Sequence, residues 1–310
     1  MLLNKTIWIC GHRKSGTTLL SNLLDGHPEI STYGTDLRLI YAVYDTFENL
    51  DISSVNDRII KLFLDDRIET EKLNLEHLLT ALNSVNIKKK SDVFKLIKYF
   101  NNLLAQNGRP LFKETSSENY LNSIKAATVQ PQFLHMVRDP RDNFAAISAG
   151  VKKYYSSFGE GHFESLASVI NRINIGFSAF KMNKKIYDQY QFIKFENLVT
   201  KPAETIENIC KYLGVNYSTK MLSPTKSGKA YKGNSHDGKV FNSVSDANVN
   251  RWSERITELD AQIIEATCES VMDYFEYKPQ FTIREKSKAL EYFYGKYNQR
   301  YFYYDKLGEI

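Results

Sequence analysis

A loop near the amino terminus, bracketed by two glycines, carries residue types that bind phosphate groups. Gly11 and Gly16 enclose four residues, and Thr17-Thr18 follow directly. A short apolar run over 7–10 precedes the loop and predicts a buried strand, whereas leucines at helical spacing follow it. The sequence therefore predicts a strand, a loop and a helix amino terminus, where backbone N–H groups and hydroxyls can cradle a phosphate.

The position of the loop lysine argues against a nucleoside triphosphate as the ligand. In the usual triphosphate loop, Lys-Ser/Thr follows the second glycine, but here threonines occupy that position and the lysine is Lys14. The pattern also lacks a clear pair of Mg²⁺ ligands. A mononucleotide-like donor with one anionic group at its 5′ end fits this loop better.

A second cluster of chemically useful residues follows the apolar run 131–137. Asp139 and Pro140 form a helix start, with aspartate as the N-cap and proline at the first helical position. Arg138 therefore stands at a strand–helix junction, where its guanidinium could form two hydrogen bonds to one phosphate. An Arg–Asp surface ion pair is the alternative for this segment taken alone.

Alternation of apolar runs and helical patterns predicts a mainly parallel sheet with helices on both faces. Strands are expected near 7–10, 110–115, 131–137 and 191–195, and Gly34 to Ile40 is expected to be a loop entering a helix. The predicted helices cover 118–128, 140–153, 163–187, 201–213 and 256–274. Sites in such sheets lie at the carboxyl ends of the strands, where the Arg13-Lys14 pair, Lys113 and Arg138 are expected to meet.

Composition limits the classes of protein that fit. The 310 residues carry a net charge of +5, which is too mild for a general nucleic-acid binder. The three cysteines, Cys10, Cys210 and Cys268, lie in apolar stretches and are expected to be reduced core residues. We found no signal peptide or membrane span in the sequence, which predicts a cytoplasmic protein.

Together the two clusters resemble sulfotransferases that use 3′-phosphoadenosine 5′-phosphosulfate (PAPS). The segment 13–18 is similar to their 5′-phosphosulfate loop, and Arg138-Asp139-Pro140-Arg141 is similar to their 3′-phosphate site. The resemblance spans about 6–40, 110–150 and 190–275 and is nearest to the tyrosylprotein and bacterial branches. It implies a single α/β domain of P-loop type over 1–310, with PAPS as donor, 3′-phosphoadenosine 5′-phosphate (PAP) as product and no metal.

The resemblance also implies roles for individual residues. Sulfuryl transfer needs cations around the moving group and a base for the acceptor hydroxyl. The implied catalytic residues are Lys14, Lys113 and Asp36, the last as the base, and Arg38 is implied to bind the acceptor. The implied donor-binding residues are Arg13, Lys14, Ser15, Gly16, Thr17, Thr18, Arg138, Ser148 and Arg251. The alternatives are that Asp36 caps a helix and that Lys113 is a solvated lysine at a strand end.

Several positions depart from the family pattern or are weaker candidates. The family places a serine eight residues after the arginine, but here that position is Ala146, so Ser148, Arg141 or Asn143 could complete the 3′-phosphate site. The segment 223–246 is predicted to be a mobile loop near the donor. Further donor-site candidates there and just beyond are Lys239, Ser243, Ser245 and Arg251.

Two segments fall outside the resemblance. Residues 41–107 predict three or four amphipathic helices, either a cap over the active site or a helical layer of the main core. The aromatic-rich tail from about 275 to 310 is either a packed helix or an arm that could bind a glycan, a membrane surface or a second copy of the chain.

The expected function is PAPS-dependent sulfation of an acceptor hydroxyl, on a carbohydrate or small molecule first and on peptide tyrosine second. Two alternatives of other classes stay open at this stage. One is a P-loop kinase that uses a triphosphate with Mg²⁺. The other is a non-catalytic protein that binds the nucleotide and docks through its tail.

Overall fold

Five parallel strands form the centre of the molecule in the order β2-β3-β1-β4-β5. Their bounds are β1 (Ile7–Gly11), β2 (Ile30–Asp36), β3 (Arg109–Lys113), β4 (Gln132–Val137) and β5 (Tyr190–Lys194). The structure is a computed structural model that describes residues 5–65, 73–154, 162–183, 188–231 and 244–296. The predicted α/β class with a central parallel sheet is confirmed.

The central strand β1 shows why the sheet is covered on both faces. All five of its residues are buried, and successive side chains of a strand point to opposite faces. Ile7 and Ile9 pack in one apolar cluster, whereas Trp8 and Cys10 pack in another. Each face therefore needs its own layer of helices.

Twelve α-helices and one short hairpin accompany the sheet in the described residues. The helices are α1 (Thr17–Leu24), α2 (Val55–Asp65), α3 (Leu75–Val85), α4 (Asp92–Leu104), α5 (Leu121–Ala127), α6 (Pro140–Tyr154), α7 (His162–Asn183), α8 (Phe195–Thr200), α9 (Pro202–Leu213), α10 (Glu258–Thr267), α11 (Glu269–Tyr274) and α12 (Ile283–Lys296). The antiparallel hairpin is β6 (Thr225–Lys226) with β7 (Lys229–Ala230).

Strand β2 is the main correction to the predicted elements. Gly34 to Ile40 was expected to be a loop entering a helix, but the strand continues to Asp36 and pairs with β3 at Lys113. The register shifts between Thr32 and Asp36, where Gly34 has a φ of +87°. Hydrogen bonding to β3 thus gives a strand conformation to a polar, glycine-containing segment whose sequence has no strand pattern. A π-helical turn, Ile40–Tyr44, follows.

The helical insertion packs directly on the sheet. Side chains from α2, α3 and α4 share one buried cluster with Trp8, Phe112 and Phe133 of three strands. This is the packing of a helical layer of the main core, the second of the two alternatives for residues 41–107.

The tail is described as far as residue 296, and its helix is packed. Ala289 and Phe293 of α12 are buried with residues of α6, α7 and α10, while Tyr292 and Tyr294 stay about half exposed. The tyrosines at 301, 303 and 304 lie outside the described residues. The three cysteines are buried and free, as predicted. None of the described helices has the length and apolar character needed to cross a membrane.

Arg109 ties the amino-terminal edge of the sheet together. Its buried guanidinium donates to the carbonyl oxygens of Lys5 (3.1 Å) and Leu213 (2.5 Å) and to Oε1 of Gln132 (2.5 Å). Leu213 is the last residue of α9, so the arginine also places positive charge at a helix carboxyl end, where it is favourable.

Candidate active site

The loop between β1 and α1 depends on its two glycines. Gly11 has a φ of +121°, and a Cβ there would lie 2.3 Å from the Met136 carbonyl oxygen. Gly16 has a φ of +99°, and a Cβ there would lie 2.6 Å from the Phe195 ring. Gly16 is also the N-cap of α1, and no side chain caps that helix start, so its first backbone N–H groups have no side-chain acceptor there.

Side chains under the loop hold it in shape. The Ser15 hydroxyl donates to the His12 carbonyl oxygen (2.6 Å), and Nδ2 of Asn143 donates to the Arg13 carbonyl oxygen (2.8 Å). Since the amide nitrogen of Asn143 is used in this way, its oxygen accepts from Nδ1 of His12 (2.6 Å). Burial lowers the pKa of His12 to about 3, so this histidine is a neutral structural part of the loop.

Arg138 joins the second motif to the loop. Its guanidinium donates to the Lys14 carbonyl oxygen (2.9 Å) and to the Asn248 carbonyl oxygen (2.6 Å), and it lies 4.5 Å over the Phe195 ring. Nε of Arg138 is buried and has no partner among the described residues. The two motifs, far apart in sequence, therefore form one positively charged surface at the carboxyl ends of β1 and β4.

The nearby positive charge affects the pKa of Lys14. Burial, and then the charge of Arg138, lower the pKa of Lys14 to about 8. The positive charge of Arg138 thus disfavours the charged form of Lys14, and a negative charge between the two groups would reverse this effect.

A third group of residues lies where β2 and β3 end beside α1. Nζ of Lys113 is 2.9 Å from Oδ2 of Asp36 and 3.4 Å from the Thr18 hydroxyl. The Lys113 side chain is 6% exposed, which rules out a solvated strand-end lysine. The Asp36 side chain is 22% exposed, and its Oδ1 has no partner among the described residues.

Glu114, which the sequence did not single out, does the helix capping considered for Asp36. Its buried Oε1 accepts from the backbone N–H groups of Ile40 (2.7 Å) and Tyr41 (2.8 Å) at the start of the π-helical turn. Burial, and then the charge of Asp36, raise the pKa of Glu114 well above its usual range. An acidic residue near the end of the predicted strand 110–115 was the signal available for it.

Two arginines come from the segments that carry these residues. Arg13 is in the loop between β1 and α1, and Arg38 follows β2. The Arg13 guanidinium is 5.8 Å from the centre of the Tyr41 ring. Arg38 has a φ of +60° in the connection from β2 to the π-helical turn. Burial, and then Asp36, raise the pKa of Tyr41. Asp36, Arg38 and Tyr41 thus belong to one segment beside the loop.

Two of the candidates for the 3′-phosphate site are not brought there. Helix α6 is regular from Pro140, so Ser148 lies about 140° around the helix from Asn143, which contacts the loop. Arg141 is buried and bonded to Asp139 (2.6 Å) and Glu265 (2.5 Å). Asn143 reaches the loop backbone, and Arg141 acts as a structural ion pair.

The candidates further along the chain either have other partners or lie outside the described residues. Arg251 pairs with the exposed Glu254 at 2.5 Å, and the Ser245 hydroxyl accepts from the Ala247 N–H. Lys239 and Ser243 lie outside the described residues.

The segment after β5 contributes more than the fold support expected of it. Phe195 packs under Arg138 and against Gly16. Glu196 accepts from the Asp139 N–H (2.9 Å) and from the Tyr277 hydroxyl (2.9 Å). These contacts fix the junction that carries Arg138, and no local pattern in the sequence indicates them. No cluster of three or more potential metal-ligating side chains occurs within the described part of the chain.

Comparison with known proteins agrees with this geometry. A sequence model of the Sulfotransferase family matches residues 6–219. No curated protein sequence matches the chain.

Solved structures share the fold. The sulfotransferase domain from the Synechococcus PCC 7002 olefin synthase has a TM-score of 0.60 at 21% identity, covering 89% of this chain and 96% of that one. The sulfotransferase domain from the curacin biosynthetic pathway has a TM-score of 0.62 at 16% identity, covering 90% and 99%. Sulfotransferase STF9 from Mycobacterium avium has a TM-score of 0.51 at 12% identity, covering 90% and 79%. With two thirds of its length matched by the family model and its sheet and loop in place, the chain belongs to the Sulfotransferase family.

Proposed function

We propose that this sulfotransferase moves the sulfuryl group of PAPS directly to an acceptor hydroxyl, without a covalent enzyme intermediate. The observation that carries the proposal is the position of Nζ of Lys113, between the Thr18 hydroxyl at the loop and the Asp36 carboxylate. This lysine links the proposed donor site to a group that can accept a proton.

The donor would bind by its two charged ends. The amide end of α1 at Gly16 and the partly buried Lys14 suit the 5′-phosphosulfate, because both place positive charge at the loop. Arg138 suits the ribose 3′-phosphate, since its unpartnered Nε can add a charge-assisted hydrogen bond. Asn143 supports the site by holding the loop backbone rather than by contacting the ligand.

The transfer step needs one bond formed, one broken and one proton moved. The acceptor oxygen would form a bond to sulfur while the bond between sulfur and the bridging phosphate oxygen breaks, which leaves PAP. The hydroxyl proton would pass to Asp36. Lys113 and Lys14 would stabilise the negative charge on the sulfuryl oxygens and on the leaving phosphate, which is the usual main contribution in such transfers.

The acceptor is proposed to be a carbohydrate or small-molecule hydroxyl. Asp36 is partly exposed, and Arg38 and Tyr41 follow it on the same segment, so hydrogen-bonding side chains surround the proposed base. Peptide tyrosine is the second candidate, because the resemblance described above is nearest to the tyrosylprotein and bacterial branches.

Calorimetry with PAP, followed by an acceptor screen with labelled PAPS, tests the proposal. We expect PAP to bind without Mg²⁺ and label to reach a hydroxyl acceptor. Mg²⁺-dependent ATP binding without PAP binding would instead identify a kinase. PAP binding with no transfer to any acceptor would identify a non-catalytic nucleotide-binding protein.

A further inference from the structure

A buried carboxyl group, that of Glu118, contacts the first glycine of the loop. Oε2 of Glu118 accepts from the Gly11 N–H at 3.1 Å, and the Ser116 N–H donates to the Gly11 carbonyl oxygen at 3.1 Å. The segment 116–118 therefore holds both polar groups of the first loop glycine. The Trp8 indole N–H also donates to the Ser117 hydroxyl (2.7 Å), which fixes this segment to β1.

The space around Glu118 is tightly defined. Glu118 is 2% exposed, and a Cβ added at Gly176 of α7 would lie 2.7 Å from its Oε1. A small cavity of about 30 Å³ lies beside it, and His12, Ser15 and Arg138 of the donor site also line this cavity. Glu118 and these donor-site residues therefore line one cavity.

The groups that face Glu118 keep a constant charge near neutral pH. Burial lowers the pKa of His12 and of His135 on β4 to about 3, so both are neutral. Burial raises the pKa of Cys10 on β1 and of Tyr190 on β5, so both are also neutral.

Two arginines supply the positive charge near Glu118. Arg172 of α7, which also donates to the Ser116 hydroxyl (3.2 Å), lowers the pKa of Glu118 by its charge. Arg138 lines the same cavity from the other motif. Burial outweighs these charges and the hydrogen bonds, and it raises the pKa of Glu118 to about 7. Glu118 is therefore the group in this set that changes charge near neutral pH.

We propose that Glu118 is a positioning residue for the donor loop, and that its carboxyl group takes up a proton when an anionic donor binds at the loop. The inference rests on the proposed function, because it needs an anion at the loop. A negative charge close to a carboxylate favours its protonated form. Donor binding and protonation of Glu118 then strengthen each other by linkage.

Calorimetry of PAP binding at pH 7, in buffers of different ionisation enthalpy, measures the protons taken up. PAP itself titrates, so the comparison is between the wild-type chain and Glu118→Gln, in which the ligand contribution is the same. We expect the wild type to take up roughly half a proton more than the variant, because about half of Glu118 is already protonated in the free chain. Equal proton uptake by the two chains would overturn the inference.

A second pair of variants keeps the inference testable if Glu118→Gln does not fold. Arg172→Gln removes the neighbouring positive charge, so the pH of maximal uptake should rise, whereas Arg172→Lys should keep it near the wild-type value. An identical pH maximum in both variants would also overturn the inference. If the wild-type chain binds no PAP at all, the proposed function fails instead.

Discussion

Nζ of Lys113 and Oδ2 of Asp36 are 2.9 Å apart, although 77 residues separate them in the sequence. The pair lies where two neighbouring parallel strands end, which is the edge at which ligands bind in such sheets. The Thr18 hydroxyl lies 3.4 Å from the same nitrogen, so the pair also contacts the first helix. A lysine and a carboxylate are thereby held together next to the loop between β1 and α1.

Asp36→Asn should abolish most transfer and leave PAP binding intact. The amide has the shape of the carboxylate but cannot take the acceptor proton, so turnover should fall by about 10²–10⁴-fold. PAP affinity should stay equal or rise slightly, because a negative charge near the anion site is lost. Steady-state turnover and calorimetry measure the two effects. Asp273→Asn, an exposed change on α11, is the control; unchanged turnover in Asp36→Asn would exclude Asp36 as the base.

Lys14→Arg should change how PAP affinity depends on pH. The pKa of Lys14 in the free chain is lowered to about 8, so above this pH the side chain is largely neutral and must take up a proton when the anion binds. Wild-type affinity should therefore fall as pH rises from 8 to 10. Arginine stays charged in this range and should remove the fall. The same decline in both chains would show that Lys14 does not contact the anion.

Glu114→Gln should be tolerated, whereas Glu114→Ala should not. Burial raises the pKa of Glu114 well above its usual range, and the glutamine oxygen can still accept both backbone N–H groups of the π-helical turn. Alanine leaves two buried donors without a partner, at a cost of about 1–3 kcal/mol each. Chemical denaturation of both variants measures the difference. Equal stability of the two variants would contradict this role for Glu114.

Gly16→Ala should weaken PAP binding through steric clash with Phe195. The new methyl group would lie 2.6 Å from the ring and must push the loop away. Turnover should also fall, on the order of 10²-fold for a displacement of about 1 Å. Gly228→Ala in the β6–β7 hairpin is the matched control, because it also has a positive φ of +73° but no atom within 4 Å. Similar PAP affinity in the two variants would show that the clash with Phe195 does not weaken PAP binding.

The local sequence pattern was sufficient to predict the elements that are marked by characteristic residues. Three elements are identified by their own residue types. These are the apolar run 7–10, the helix start at Asp139-Pro140 and the glycine pair of the loop. The segment 30–36 could not be predicted in this way, because its strand is polar and interrupted by Gly34, and it exists through pairing with β3.

The site could be predicted in part for a similar reason. Resemblance suggested that Lys113 and Asp36 act together, but their contact depends on the strand order, which no local pattern contains. Glu114 and Glu118 were missed because a buried carboxyl group looks like any surface acid in a sequence. Ser148 was proposed as a substitute for Ala146, and the regular helix places it on another face.

The hydrogen bonds of the Arg109 guanidinium have a consequence for how the sequence of this protein can evolve. They join Lys5, Gln132 and Leu213 at one end of the sheet, while every residue of the proposed chemistry lies at the opposite end. Some substitutions at the carboxyl end of the sheet would admit a new acceptor but lower stability. Stabilising substitutions around Arg109 can offset that loss, because they lie away from the proposed catalytic residues. This separation gives the scaffold room to evolve.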